Sequence, residues 1–281
     1  MGNDAGDSLQ QAVVQFAGAD SVMTVVPILR PDWPAPSQVR GGCTTRLGGV
    51  SVGPYAALNL GRGGGDDAAA VGENRRRALA ALQAPAEPHW ISQVHGTRVV
   101  QAPFGEMTPA ADASFTTQPS VVCAVQAADC LPVLFCDDAG TVVAAAHAGW
   151  RGLAAGVLEA TIAALPAAPQ NLLAWLGPAI GPEAFEVGEE VRAAFVQIDA
   201  AAADCFRPAP HGGKQFADLF GLARQRLARA GVTRVYGGGL STHADRARFY
   251  SFRRDGITGR MAAMIWLQPR EAAMALRTYK S

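Results

Sequence analysis

Between Ser120 and His147 the chain carries three short apolar or β-branched runs, Ser120–Gln126, Leu131–Cys136 and Thr141–His147, parted by turn signals that include Asp137-Asp138-Ala139-Gly140. Runs this short and this continuously apolar predict buried strands. After Gly149 the period changes. Leu153, Val157, Leu158 and Ile162 share one helical stripe that reaches Leu165, just before Pro166. A strand therefore hands over to a helix just beyond His147, and a chain built of such handovers is a layered α/β fold.

The same reading predicts helices over 69–82, 189–198 and 216–230, the last closed by Gly231. Further strands are expected at 89–94, 97–101, 171–176, 232–236, 249–252 and 260–267, with a turn at His95-Gly96 between the first two. The segment Glu73-Asn74-Arg75-Arg76-Arg77 reads as the exposed side of the first helix. Residues 1–36, with four prolines from Pro27 to Pro36, predict an irregular lead-in with room for one short strand. No linker or fixed-period repeat divides the rest of the chain, so residues 37–281 are expected to form a single domain with mixed sheets and outer helices.

Composition narrows the chemistry. Lysine plus arginine and aspartate plus glutamate both number 24, so no net field draws the chain to nucleic acid or an anionic membrane. No apolar run approaches the ~20 residues that span a bilayer. The N-terminus lacks a basic start followed by an apolar stretch, and the five cysteines are odd in number and mostly in apolar settings. These features point to a cytoplasmic protein acting on small molecules, and they leave the oligomeric state open.

His95, Cys130 and His147 each end an apolar run beside a turn, where a side chain can be presented to a cavity. Two imidazoles and a thiolate suit zinc, and three protein ligands leave one coordination position for water or substrate. Lone histidines and cysteines also serve as packing residues, and without a CxxC or HxxxH pair the ligands would have to converge from distant segments. On an extended backbone Asp129 points away from Cys130. It is better placed to bond backbone amides or orient a ligand histidine, or simply to cap a turn. Arg46 and Arg151 can hold an anion or stand as solvated cations. Ser251, Arg253 and Arg254 read equally as a charged hairpin. The run GRGGGDD at 61–67 lacks the GKS or GKT ending of a phosphate loop.

Taken in order, TTRLGGVS at 44–51, LNLG at 58–61, ENRRR at 73–77, QVHG at 93–96, ADCLPV at 128–133, HAGWRG at 147–152, GPAIGPEAFEV at 177–187 and FYSFRRDGITGR at 249–260 resemble the peptidoglycan-editing factor or laccase-domain family. The resemblance covers about residues 39–268. Members were once called multicopper polyphenol oxidases and are now described as purine nucleoside phosphorylases with adenosine deaminase activity. The resemblance implies an α/β/β/α sandwich and a metal, usually zinc, held by His95, Cys130 and His147. It implies that purine nucleosides (adenosine, inosine and 5′-methylthioadenosine) and inorganic phosphate are the substrates. Where many members read Cys-Thr, this chain has Ser241-Thr242, so a thiol there is not required for the family's chemistry.

Cupredoxin laccases need roughly ten histidines, many in HxH pairs, whereas this chain has five and no such pair. One copper can occupy a site of two histidines and a cysteine, but four-electron oxygen chemistry has no store here. Two alternatives stand beside the phosphorylase reading: a hydrolase in which His147 activates Cys130 as nucleophile, and a non-enzymatic peptidoglycan-editing factor.

Overall fold

A computed structural model describes residues 9–14, 24–105, 107–210 and 212–269. Two sheets lie face to face. One is antiparallel and has five strands in the order β1 (Leu9–Val14), β2 (Thr24–Leu29), β3 (Val39–Thr44), β14 (Met261–Leu267) and β6 (Cys123–Ala127). The other is mixed, in the order β13 (Arg234–Gly237), β9 (Leu172–Leu176), β7 (Leu131–Asp137), β8 (Val143–Ala148), β5 (Ala113–Thr116) and β4 (Val99–Gln101), with parallel pairs only at its two edges.

Strand alternation assigns each residue to a layer. Met261, Ala263, Ile265 and Leu267 of β14 pack between the sheets with Cys123, Val125, Leu134, Val143 and Trp175. The intervening Ala262, Met264 and Trp266 face outward onto Ala78, Ala81 and Leu82 of α1 (Ala68–Leu82). On the opposite side Leu131, Val133, Phe135, Ala144 and Ala146 meet α2 (Trp150–Ala155), α3 (Val157–Ala164), α4 (Glu189–Val196) and α5 (Leu219–Arg229). The result is the α/β/β/α sandwich that the resemblance implied. A small sheet of β10 (Glu186–Gly188), β12 (Lys214–Ala217) and β11 (Phe206–Pro208) and a one-turn helix α6 (Phe252–Asp255) complete it.

Several expectations need correction. Two strands, β1 and β2, occupy the stretch read as an irregular lead-in, and Val26 and Ile28 are fully buried. Only Pro27 of the four prolines lies inside β2; Pro31, Pro34 and Pro36 come after it. Residues 1–8, 15–23 and 270–281 lie outside the described residues. Segment 89–94 is not a strand but touches its neighbours through single bridges at His89 and Ser92. The long helix after Gly149 is broken at Gly156, whose φ of 101° only glycine adopts readily. Phe216 belongs to β12, and Asp218 caps α5 through the Gly221 N–H. Segment 249–252 turns into α6, capped by Ser251.

Asn74 and Arg75 are buried, not exposed. Asn74 bonds the Val50 N–H and the Ala57 and Asn59 carbonyls, and Arg75 gives two hydrogen bonds to Leu60 O. The face of α1 that meets the 46–61 loop is polar because that loop has backbone groups to satisfy away from water.

Candidate metal centre

Pairing of β7 with β8 sets Leu131 against Ala148 and Pro132 against His147, so one step further Cys130 lies opposite Gly149. Leu134 and Cys136 of β7 and Val143 and Ala145 of β8 face the space between the sheets. By alternation Cys130 and His147 are on that same side at the end of their strands. On the other flank of β8, Ala113 pairs with Ala146, which brings Asp112 level with His147; the His147 N–H donates to Asp112 O at 2.7 Å. Three adjacent strands thus deliver a thiol, an imidazole and a carboxylate to one place.

His95 arrives on a loop and sits at φ 59°, a left-handed conformation that must be held from outside. Asp112 holds it. Its carboxylate accepts from the N–H groups of Val94 (3.2 Å), His95 (2.9 Å) and Gly96 (2.6 Å), and from His147 Nδ1 at 2.9 Å. Gln93 fixes the loop's other end, exchanging two 2.8 Å hydrogen bonds with the Gln126 backbone of β6. The outcome is a compact cluster: one ligand atom from each of His95, Cys130 and His147 lies within 4.8 Å of the others. His95 is exposed, Cys130 half-buried and His147 buried.

The glycines of HAGWRG explain themselves here. A Cβ on Gly149 would stand 2.8 Å from His95 Cδ2 and 2.9 Å from Cys130 Sγ, and one on Gly152 would stand 2.9 Å from Gly96 O. Any side chain at 149 displaces two of the three candidate ligands.

Charge reinforces the geometry. Burial opposes ionisation of Cys130, yet the charge and hydrogen bond of His147, aided by His95, draw its thiol down to about 6. Burial likewise disfavours a charged His147, but the Cys130 thiolate and the Asp112 hydrogen bond raise it to about 9. Burial pushes the Asp112 carboxyl up, and the His147 and Gly96 hydrogen bonds outweigh it and hold the group below the usual carboxylate range. Cys43, Cys123 and Cys136 are pushed by burial to about 12 and stay inert thiols.

The remaining sequence candidates fall elsewhere. Asp129 accepts from the Thr242 hydroxyl at 2.6 Å and the Arg253 N–H at 2.7 Å, so it ties loops together, and orienting His147 falls to Asp112. Arg46 aims Nε and Nη2 at Ala56 O and Nη1 at Arg246 O, with its guanidinium over Tyr250. That arrangement braces a loop instead of presenting a free anion contact. Arg151 stands exposed, its guanidinium 4.5 Å above the Trp150 ring. Arg254 is bonded to the Thr242, His243 and Phe249 carbonyls and to Asp255. The Ser241 hydroxyl donates to Glu183 at 2.5 Å. Asp112 was missed by sequence reasoning; its one signal is a lone carboxylate among the small residues Ala110, Ala111, Ala113 and Ser114.

The chain is similar to known proteins over most of its length. The family model described as multi-copper polyphenol oxidoreductase laccase matches residues 40–268. A Pseudomonas aeruginosa protein named purine nucleoside phosphorylase PA4543 is 56% identical over 240 residues, 85% of this chain and 98% of that protein. The Escherichia coli (strain K12) protein named purine nucleoside phosphorylase YfiH is 54% identical over 242 residues, with the same coverage. Among solved structures, Neisseria meningitidis NMB0706 superposes with a TM-score of 0.82 at 52% identity, covering 86% of this chain and 99% of that one. Geobacillus stearothermophilus YlmD superposes with a TM-score of 0.79 at 30% identity, covering 92% and 100%.

Proposed function

The chain belongs to the multi-copper polyphenol oxidoreductase laccase family of YfiH-like proteins, and from that membership we propose that it is a purine nucleoside phosphorylase with a second, adenosine-deaminating activity. The observation that carries the reading is the convergence of His95, Cys130 and His147 within 4.8 Å at the end of the six-stranded sheet, in a chain whose relatives bear the phosphorylase name. Adenosine, inosine and 5′-methylthioadenosine are the proposed nucleosides.

The cluster fits a divalent metal. Asp112 occupies His147 Nδ1 and so leaves Nε2 for a ligand bond, the Cys130 thiol ionises easily, and Gly149 leaves room between the donors. Two imidazoles and a thiolate favour zinc and also accommodate copper. Such a metal, when bound, supplies Lewis-acid activation of water for hydrolytic deamination. With five histidines and no HxH pair, the chain is not read as an oxygen-reducing oxidase despite the family's title.

In phosphorolysis a phosphate oxygen bonds to ribose C1′ while the bond from C1′ to the purine nitrogen breaks. The electron pair leaves with the base, which gains a proton, and ribose 1-phosphate remains. Exposed Arg151, two residues beyond Gly149, is the proposed phosphate contact. Arg46, already committed to the Ala56 and Arg246 carbonyls, steadies the 46–61 loop. We read residues 37–281 as the catalytic domain and the cytoplasm as its compartment, supported by the match over 40–268 and by five free cysteines. Among the described residues no helix is long and apolar enough to cross a membrane.

The test is turnover by the purified protein. Release of base and ribose 1-phosphate in phosphate buffer, abolished in His95→Ala, supports the reading, and no turnover with both phosphate and zinc supplied rejects it. One observation favours a second reading: Cys130, His147 and Asp112 form a thiol–imidazole–carboxylate chain of the kind that activates a cysteine nucleophile. Full activity in excess chelator, lost in Cys130→Ser, would select it.

A further inference from the structure

Phe252 leaves 57% of its surface exposed, more than a large aromatic normally concedes to water, although everything around it is fixed. Ser251 is buried and caps α6 through the Arg254 N–H at 3.2 Å. Arg253 donates its backbone N–H to Asp129 Oδ2 at 2.7 Å and its Nη1 to Glu186 O at 2.7 Å. Since Asp129 immediately precedes Cys130, this hydrogen bond pins the start of α6 beside the Cys130 segment.

Arg260 sits under the same ring, its guanidinium carbon 5.9 Å from the ring centroid. It too is held: Nη1 donates to the carbonyls of Thr258 and Gly259, both at 3.0 Å, and the backbone N–H to Asn59 Oδ1 at 2.9 Å. Burial lowers its pKa, and the negative charges of Cys130 and Asp129, the two residues just before β7, partly offset that. The outcome is an exposed ring on a braced one-turn helix tied to the Cys130 segment, backed by a fixed cation.

We infer that Phe252 is the platform on which the purine base stacks. The inference rests on the nucleoside reading above and supplies the base contact which that reading lacks. Stacking on an aromatic face recognises the plane of a purine and is indifferent to its 6-substituent. A platform of this type therefore accepts adenosine, inosine and 5′-methylthioadenosine alike, whereas a site reading the 6-position by hydrogen bonds would reject one of them.

The experiment compares wild type, Phe252→Ala and Phe252→Tyr, all metal-loaded, for KM of adenosine and inosine, KM of phosphate, and binding of adenine by calorimetry. Phe252→Ala should raise both nucleoside KM values by roughly tenfold or more and weaken adenine binding equally, while phosphate KM and metal content hold; Phe252→Tyr should restore all three. Nucleoside KM values within twofold of wild type in Phe252→Ala overturn the platform and leave the phosphorylase reading standing. Adenine binding that depends on Phe252 in a protein without turnover keeps the platform and removes the phosphorylase reading. A wild type that neither binds adenine nor turns over nucleosides removes both. Because Phe252 is exposed in a four-residue helix, its loss should leave the melting temperature nearly unchanged, and Phe252→Tyr guards against a folding artefact.

Discussion

The Asp112 carboxylate accepts a hydrogen bond from His147 Nδ1 at 2.9 Å, and the same carboxylate holds three consecutive N–H groups of the loop that presents His95. One buried side chain thus orients the His147 imidazole and fixes the backbone of the loop that carries His95. Asp112→Asn keeps the size but turns one acceptor oxygen into a donor, leaving at least one N–H facing another. Metal affinity, measured by competition with a chromogenic chelator, should fall about 10- to 100-fold. The unpaired donor should also cost about 1–3 kcal/mol in urea denaturation of the metal-free protein. Unchanged chelator competition would mean that His147 and His95 need no such support.

Gly149 makes a separate demand. Its hydrogen faces His95 and Cys130, both under 3 Å from where a Cβ would be. Gly149→Ala should destabilise the metal-free fold by only about 1–3 kcal/mol, because His95 lies on an exposed loop that can yield. It should abolish stoichiometric metal binding all the same. Metal analysis beside a melting curve separates these effects, and a metal-replete Gly149→Ala protein would contradict the crowding argument.

The thiol gives the pH dependence. An acid whose folded pKa drops to about 6 is ionised above that pH, so metal-free protein should carry the Cys130 thiolate through neutrality. Its alkylation rate by iodoacetamide should level off above about pH 7, whereas a thiol at its ordinary pKa would still be accelerating at pH 8. Replacing His147 with Ala removes the main stabilising charge and should shift the profile upward, and added zinc should suppress alkylation. A Cys130 profile that climbs steadily to pH 9 would refute the thiolate.

The parts of the fold legible in sequence are those that local physics decides. Uniform apolar runs announced β7, β8 and β9, and the change of period at Gly149 announced the helices after them. Convergence was legible only through the family resemblance: His95 reaches Cys130 because β5 runs beside β8 and Asp112 folds the 94–96 loop over it, a pairing that no window of sequence contains. Asp112 itself drew no reading from the sequence. Arg75 looked exposed, because a buried arginine differs from a surface one only in the carbonyls and the Trp90 ring that receive it. Gly149 was noticed as a helix start, yet its stronger constraint is steric and appears only when two distant ligands are in place.

Arg151 and Arg46 looked equivalent in sequence, and their surroundings separate them. Arg46 spends Nε and both terminal nitrogens on carbonyl groups, whereas Arg151 stands exposed over Trp150 with its fork available to an anion. Arg151→Ala should therefore raise the phosphate KM by roughly tenfold, the scale of a charge-assisted hydrogen bond, with nucleoside KM nearly constant. Arg46→Ala should act on the fold: the Ala56 and Arg246 carbonyls lose their donor, the 46–61 loop loosens, and stability falls by about 1–3 kcal/mol. Initial rates across a phosphate series, run with thermal melts of both variants, distinguish the two roles. A phosphate dependence that shifts in Arg46→Ala and stays fixed in Arg151→Ala would reverse the assignment.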